Sequence, residues 1–447
     1  MKKTFFTKDP SFYRSFFKLM TVIALQNLVA YSVNMLDNIM LGSYSQNALS
    51  GAATVNQIYF IVNQIALAIG NALIAISSQY WGSHQTKPIR KVTKAALLFS
   101  LAIAAGMIAL CIRIPNILIG LFTTSPDIIR EGTIYLHIIQ WTFLFFMISN
   151  LLLAMLRSVE TVKIAFLISV ISLLVNGGIN YILIFGKFGF PQLGIAGAAI
   201  GSSLAEMVSV IFFIIYTWKR IDCRKYALNI LPKFQGKTLK RILNVSVWTM
   251  IQNFVSLSTW FMFFLFVEHL GERSLAIANI IRNVSGIPFM IAMAFASTCG
   301  SLVSNLIGAG EQDCVRGTIR QHIRIGYIFV LPILIFFCLF PDLILRIYTD
   351  MPDLRAASVP SLWVLCSAYL VLVPANVYFQ SVSGTGNTRT ALAMELCVLA
   401  IYVTYSAYFI MYLRMDVAFA WTTECVYGTF ILLFCYWYMK KGNWQKK

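Results

Sequence analysis

Charge is scarce in this sequence. Asp, Glu, Lys and Arg make up 12% of the 447 residues, with 17 acidic residues and four His in all; a soluble domain carries about 25% charged residues. The constellations that catalysis needs are missing too. No HExxH, GxSxG or Cys/His cluster occurs, and no nucleotide-binding P-loop, which weighs against a membrane-embedded enzyme and an ATP-driven pump. No cofactor is expected. The nine Cys stand singly without a CxxC pair and read as small apolar residues rather than disulfides or metal ligands. A cleavable leader is not expected either, because "MKKTFFTKDPSFYRSFFK" is polar and basic.

What is abundant is apolar length. Hydrophobic residues reach 59%, and stretches of the ~20 residues that cross a bilayer recur along the whole chain. Twelve spans are expected: 15–42, 51–80, 92–115, 130–157, 163–186, 195–218, 241–268, 274–305, 318–341, 357–383, 389–413 and 416–439. The fold class that follows is an all-α integral membrane protein.

The net charge of +18 raises the question of a nucleic-acid partner, and its distribution answers it. With a cytoplasmic N-terminus, 27 of the 35 Lys and Arg fall in cytoplasmic segments, leaving Arg113, Arg130, Lys187, Arg273, Arg282, Arg346, Arg355 and Arg414. This is the positive-inside signature, and with twelve spans it puts both termini in the cytoplasm of a multi-pass cell (inner) membrane protein. No nucleic-acid partner is expected.

The basic connector "WKRIDCRKYALNILPKFQGKTLKR" divides the chain into an N-terminal lobe (1–218), a cytoplasmic linker (219–240) and a C-terminal lobe (241–447). Sliding one half over the other by 226 positions sets Gly82 on Gly308, Arg90 on Arg316 and Lys94 on Arg320; "SVETVK" from Ser158 meets "TGNTRT" from Thr385 at 227. Six spans per half make both halves enter from the same side. The two lobes are therefore expected to be related by a pseudo-two-fold axis along the membrane normal, enclosing a cleft that tolerates polar residues.

The polar residues inside spans are the functional candidates. Asp37, in "NMLDNIMLG", costs ~2.5–3.5 kcal/mol at mid-membrane on insertion scales unless a cavity receives it. Burial and a bound cation pull such a carboxyl group in opposite directions, which suits ion exchange; the alternative is a protonated interhelical bond. Asn176 and Asn180 are four apart and share a helix face, as do Ser202 and Glu206. Glu206 reads equally as a proton relay or a carboxyl capped by a neighbouring helix. Gly197, Gly201 and Ala205, at four-residue intervals, read as a close-packing seam. Arg282, Glu395 and Glu424 are candidates for an intramembrane ion pair, with a cleft-facing Arg282 that favours anionic or zwitterionic cargo as the sharper reading. Glu268, His269, Glu272, His84 and His322 read as solvated residues near span ends.

Several stretches together resemble the multidrug and toxic compound extrusion (MATE) family of cation-coupled exporters: "LDNIMLG", "QYWG", "LVNGGINYILIFG", "FPQLGIAGAAIGSSLAE", "NLIGAGEQ" and "SGTGNTRT". The resemblance implies export of organic, often cationic and amphipathic compounds against inward H+ or Na+, by alternating access. It implies that Asp37 works with Asn176, Asn180 and Ser202. One carboxylate with two amide oxygens, at Asp37, Asn176 and Asn180, would make a partial shell for Na+; the alternative for the two Asn is interhelical hydrogen bonding alone. The chain departs from the family pattern at five places, the first being Asn180, where one part of the family carries an acidic residue. Val22 and Trp248 stand where prolines of spans 1 and 7 are common; Ser256 stands at an acidic position of span 7, and Pro374 near one of span 10. Coupling is accordingly expected in the N-terminal lobe. The implied partners are a small organic substrate and membrane lipid, and the protein is expected to be monomeric. A flippase for a lipid-linked or amphiphilic molecule is the alternative; its cavity would be more basic, whereas only Arg282 lies well inside a span.

Overall fold

The structure is a computed structural model that describes residues 10–123, 125–159, 163–220, 236–441 and 444. Most of the 219–240 linker, and residues 160–162 of the "SVETVK" stretch, lie outside the described residues. Among the described residues the secondary structure is helical throughout. In hydrocarbon each backbone N–H and C=O must be satisfied within its own segment, so apolar stretches of this length fold as helices.

The N-terminal half runs α1 (Pro10–Tyr44), α2 (Gln46–Gly82), α3 (Thr86–Arg113), α4 (Pro115–Gly120), α5 (Pro126–Ile139), α6 (Thr142–Ser158), α7 (Lys163–Phe185) and α8 (Ile195–Arg220). The C-terminal half runs α9 (Gly236–Glu268), α10 (Glu272–Gly308), α11 (Gln312–Leu339), α12 (Pro341–Leu345), α13 (Pro352–Gly384), α14 (Thr388–Ser406), a π-helical turn (Ala407–Tyr412), α15 (Val417–Ala420) and α16 (Thr422–Lys441). Ten segments cross a membrane by length and composition, and α5 with α6, bent by 53°, forms an eleventh. With the 35-residue α1, about 52 Å long at 1.5 Å per residue, they make the twelve expected spans in the expected order. Large side chains such as Leu174, Ile214 and Leu265 are exposed, as befits a surface solvated by lipid.

Two features were not anticipated. The expected single span 130–157 is broken at Gln140–Trp141 into α5 and α6. Short helices α4 and α12 follow spans 3 and 9, each with proline in its first turn, where a missing N–H is harmless. Pro115 and Pro341, like Pro126 and Pro352, are 226 residues apart, so the punctuation repeats along with the spans. The helices α1 and α9 are continuous with no proline inside them after their first residues.

The described chain divides into two compact units, one formed by Phe17–Trp81 with Gln85–Ser246 and the other chiefly by Val247–Lys447. In the first, α7 and α8 meet through the small-residue seam: a Cβ on Gly197 would stand 2.7 Å from the Leu183 carbonyl carbon. In the second, α10 and α13 cross closely. A Cβ on Gly384 would stand 2.5 Å from the Gly300 carbonyl oxygen, and Ser304 Oγ donates to the Gly384 carbonyl at 2.6 Å. Gly384→Ala is expected to push these backbones apart and cost ~1–3 kcal/mol, read as a lower Tm of the purified protein. Gly106→Ala, inside α3 at a position that meets nothing within 4 Å, is the matched control and should not lower Tm, since Ala favours the helix over Gly.

Candidate functional site

Three helices of the first unit bring polar groups to one place. Asp37 is near the C-terminal end of α1. Gly177 on α7 lets α1 come close, since a Cβ there would lie 2.7 Å from Leu36 Cδ2. The adjacent Asn176 and Asn180, one turn apart, are 1% and 0% exposed. Ser202 projects from α8.

The groups interlock. Asn180 Nδ2 donates to Asp37 Oδ1 at 2.5 Å and to Asn176 Oδ1 at 3.3 Å; Asn176 Nδ2 donates to Ser202 Oγ at 3.0 Å; Ser202 Oγ donates to Asp37 Oδ2 at 3.4 Å. Both carboxylate oxygens thus meet donors, and a carboxylate in its ionised form only accepts. One oxygen is left over. Asn180 Oδ1 is buried without a hydrogen-bond partner, and it rests against Gly201, whose Cβ, were there one, would stand 1.9 Å away. A turn of the amide would present this oxygen beside Asp37, so the donor set suits a hard cation as well as a proton.

The second carboxyl of this unit, Glu206, is one turn further along α8 from Ser202. Its side chain hydrogen-bonds with Ser149 of α6, and Oε2 is buried without a partner. Thr142 and Ser203 join α6 to α8 at 2.5 Å. Tyr59 of α2 packs on Phe143 and Phe146 at 5.9 and 5.1 Å between ring centres and is in electrostatic reach of both Asp37 and Glu206; Tyr135 of α5 is in reach of Asp37.

Arg282, Glu395 and Glu424 are not brought together as an ion pair. Among the described residues the ion pairs are Arg130–Glu131 and Arg355–Asp342. Arg282 instead lies over the rings of Trp260 and Phe264, at 5.7 and 5.2 Å, Glu395 contacts Ser256, and Glu424 accepts from Tyr402 Oη at 3.3 Å. A guanidinium stacks readily on aromatic faces, and the neighbouring turn of α9 supplies two of them. His322 is fully buried rather than exposed.

Three participants escaped the reading of the sequence. Tyr59 and Tyr135 carry no local signal among twenty Tyr. Gly201 was legible as part of a seam, but its service to Asn180 follows only from the register of α7 on α8.

A family model described as MatE matches residues 23–182 and again 249–408. The matches begin 226 residues apart, the shift of the internal repeat. The probable multidrug resistance protein NorM of Thermotoga maritima is 25% identical over 447 residues, covering 98% of this chain and 94% of that protein. The fold is similar to a crystal structure of MATE in the bent conformation, with TM-score 0.87 at 15% identity over 97% of this chain and 98% of that one. It is similar also to an outward-facing multidrug resistance MATE family transporter of the MOP superfamily, with TM-score 0.86 at 15% identity over 97% and 98%.

Gly201→Ala is expected to displace the Asn180 side chain and lower stability by ~1–3 kcal/mol. In an Asn180→Ala background the same substitution should cost far less, a coupling of ~0.5–3 kcal/mol. Equal costs in both backgrounds, measured by thermal unfolding, would separate Gly201 from the site.

Proposed function

The chain belongs to the MatE family, and on that premise we propose that it is a secondary exporter of organic, often cationic and amphipathic compounds, driven by inward H+ or Na+ through alternating access. Asp37 is the coupling carboxylate. Asn176, Asn180 and Ser202 hold it, and Glu206 relays ions on the same face of α8.

The observation that carries this reading is the convergence of three polar side chains from α7 and α8 on the one carboxylate of α1. A cation or proton arriving at Asp37 competes directly with the Asn180 and Ser202 donors, so binding rearranges contacts that tie α1 to α7 and α8. That is the differential interaction a coupled transporter requires between its states.

The second half supports an N-terminal location. At a shift of 226 the counterparts of Asp37, Asn176 and Asn180 are Phe263, Tyr402 and Ser406. Phe263 and Tyr402 meet at 6.5 Å, and Phe263 meets Trp421 at 5.2 Å; the equivalent place is an aromatic core. In this reading the protein works as a monomer in the cell (inner) membrane, with both termini cytoplasmic as the distribution of Lys and Arg supports.

The test is dye efflux from reconstituted vesicles under an imposed proton or sodium gradient. The native chain should expel dye only when one gradient is present, and Asp37→Asn should fall to the rate seen without a gradient. Unchanged gradient dependence in Asp37→Asn would remove the aspartate from the mechanism.

A further inference from the structure

Glu395 is 3% exposed on α14, two turns from the helix start. Its Oε1 contacts Ser256 Oγ of α9, Gln252 hydrogen-bonds alongside, and Oε2 is buried without a partner. Ser256 Oγ also lies 2.8 Å from the Gln252 carbonyl oxygen. A hydroxyl carries one hydrogen. When Ser256 spends it on the Gln252 carbonyl, as hydroxyls inside helices commonly do toward the carbonyl four residues back, the hydrogen between Ser256 and Glu395 has to come from the acid.

Among the described residues no cation balances Glu395. Among the described residues no ion pair includes it, Arg282 is held over Trp260 and Phe264, and Arg389 of its own helix lies over Trp248 at 5.1 Å. The groups that face it are Gln252 and Ser256 from α9 and Tyr427 and Cys435 from α16, and all are neutral in their ordinary forms. An unpaired carboxylate in such a place is expensive, and a carboxylic acid is not.

We infer that Glu395 is a second proton-binding carboxyl, built into the C-terminal half with Ser256 as its exchange partner. The inference rests on the reading of the protein as an ion-coupled exporter and extends it: an exchanging carboxyl in the second half, on a helix not equivalent to the one that carries Asp37. The step balances simply. On release the O–H bond of Glu395 breaks and the proton passes to water; the Ser256 hydroxyl then turns from the Gln252 carbonyl to donate to the carboxylate. On uptake the two hydrogens return. Each exchange therefore remakes the contact between α9 and α14.

Infrared difference spectra of the full chain, stepped between about pH 5 and pH 9, test this directly. The native protein should lose carboxylic-acid C=O absorption as pH rises, Glu395→Gln should lack one component of that loss, and Ser256→Ala should shift the frequency of the same component. Asp37→Asn should leave the component in place. A Glu395→Gln spectrum that superimposes on the native one, or a component that persists at every pH, overturns the inference. Should Glu395→Gln fail to fold, an unshifted component in Ser256→Ala overturns it equally. The spectra do not depend on transport, so a failed Asp37 efflux test and a failed Glu395 assignment are distinguishable.

Discussion

A carboxyl group at membrane depth has to be answered by the protein itself, because lipid offers neither water nor counter-ions. Asp37 is answered by Asn180 and Ser202, and much of the first unit follows from that requirement. Gly177 brings α1 to α7, Gly201 admits the Asn180 side chain, and Asn176 ties the amide of one turn to the hydroxyl of α8. Small residues and polar residues in this unit are two aspects of one arrangement. The donors can converge only where backbones come close.

The halves share a repeat but not a chemistry. The first places a carboxylate and amides where the second places Phe263 and Tyr402 in ring contact. The second half keeps its own acids, Glu395 and Glu424, on helices whose counterparts carry none at those positions. Its cation, Arg282, is sheltered by aromatic faces instead of by an acid. The two halves share a scaffold, and the interior of each is filled by different means.

The spans were legible because hydrocarbon thickness imposes a length that composition alone reveals. Asp37, Asn176, Asn180, Ser202 and Glu206 were legible as polar residues in apolar runs, and helical spacing paired four of them. What the spacing could not supply was register between helices. That Gly201 receives Asn180, that Tyr59 and Tyr135 stand near the carboxyls, and that Glu395 reaches Ser256 while Arg282 reaches Trp260 all depend on which faces meet. The break of the fourth span was hidden as well, since neither Gln140 nor Trp141 is a helix breaker.

That break has a mechanical consequence. Gln140 is buried and its Nε2 donates to the His137 carbonyl at 2.9 Å, while the backbone passes through the joint on bonds that reach back three residues instead of four, from Trp141 to Ile138, Phe143 to Gln140 and Leu144 to Trp141. Tyr135, beside Asp37, rides on the rod before the joint; Ser149, bonded to Glu206, rides on the rod after it. The neighbours of the two carboxyls thus sit on different rods, so the angle at Gln140 sets the spacing between Tyr135 and Ser149.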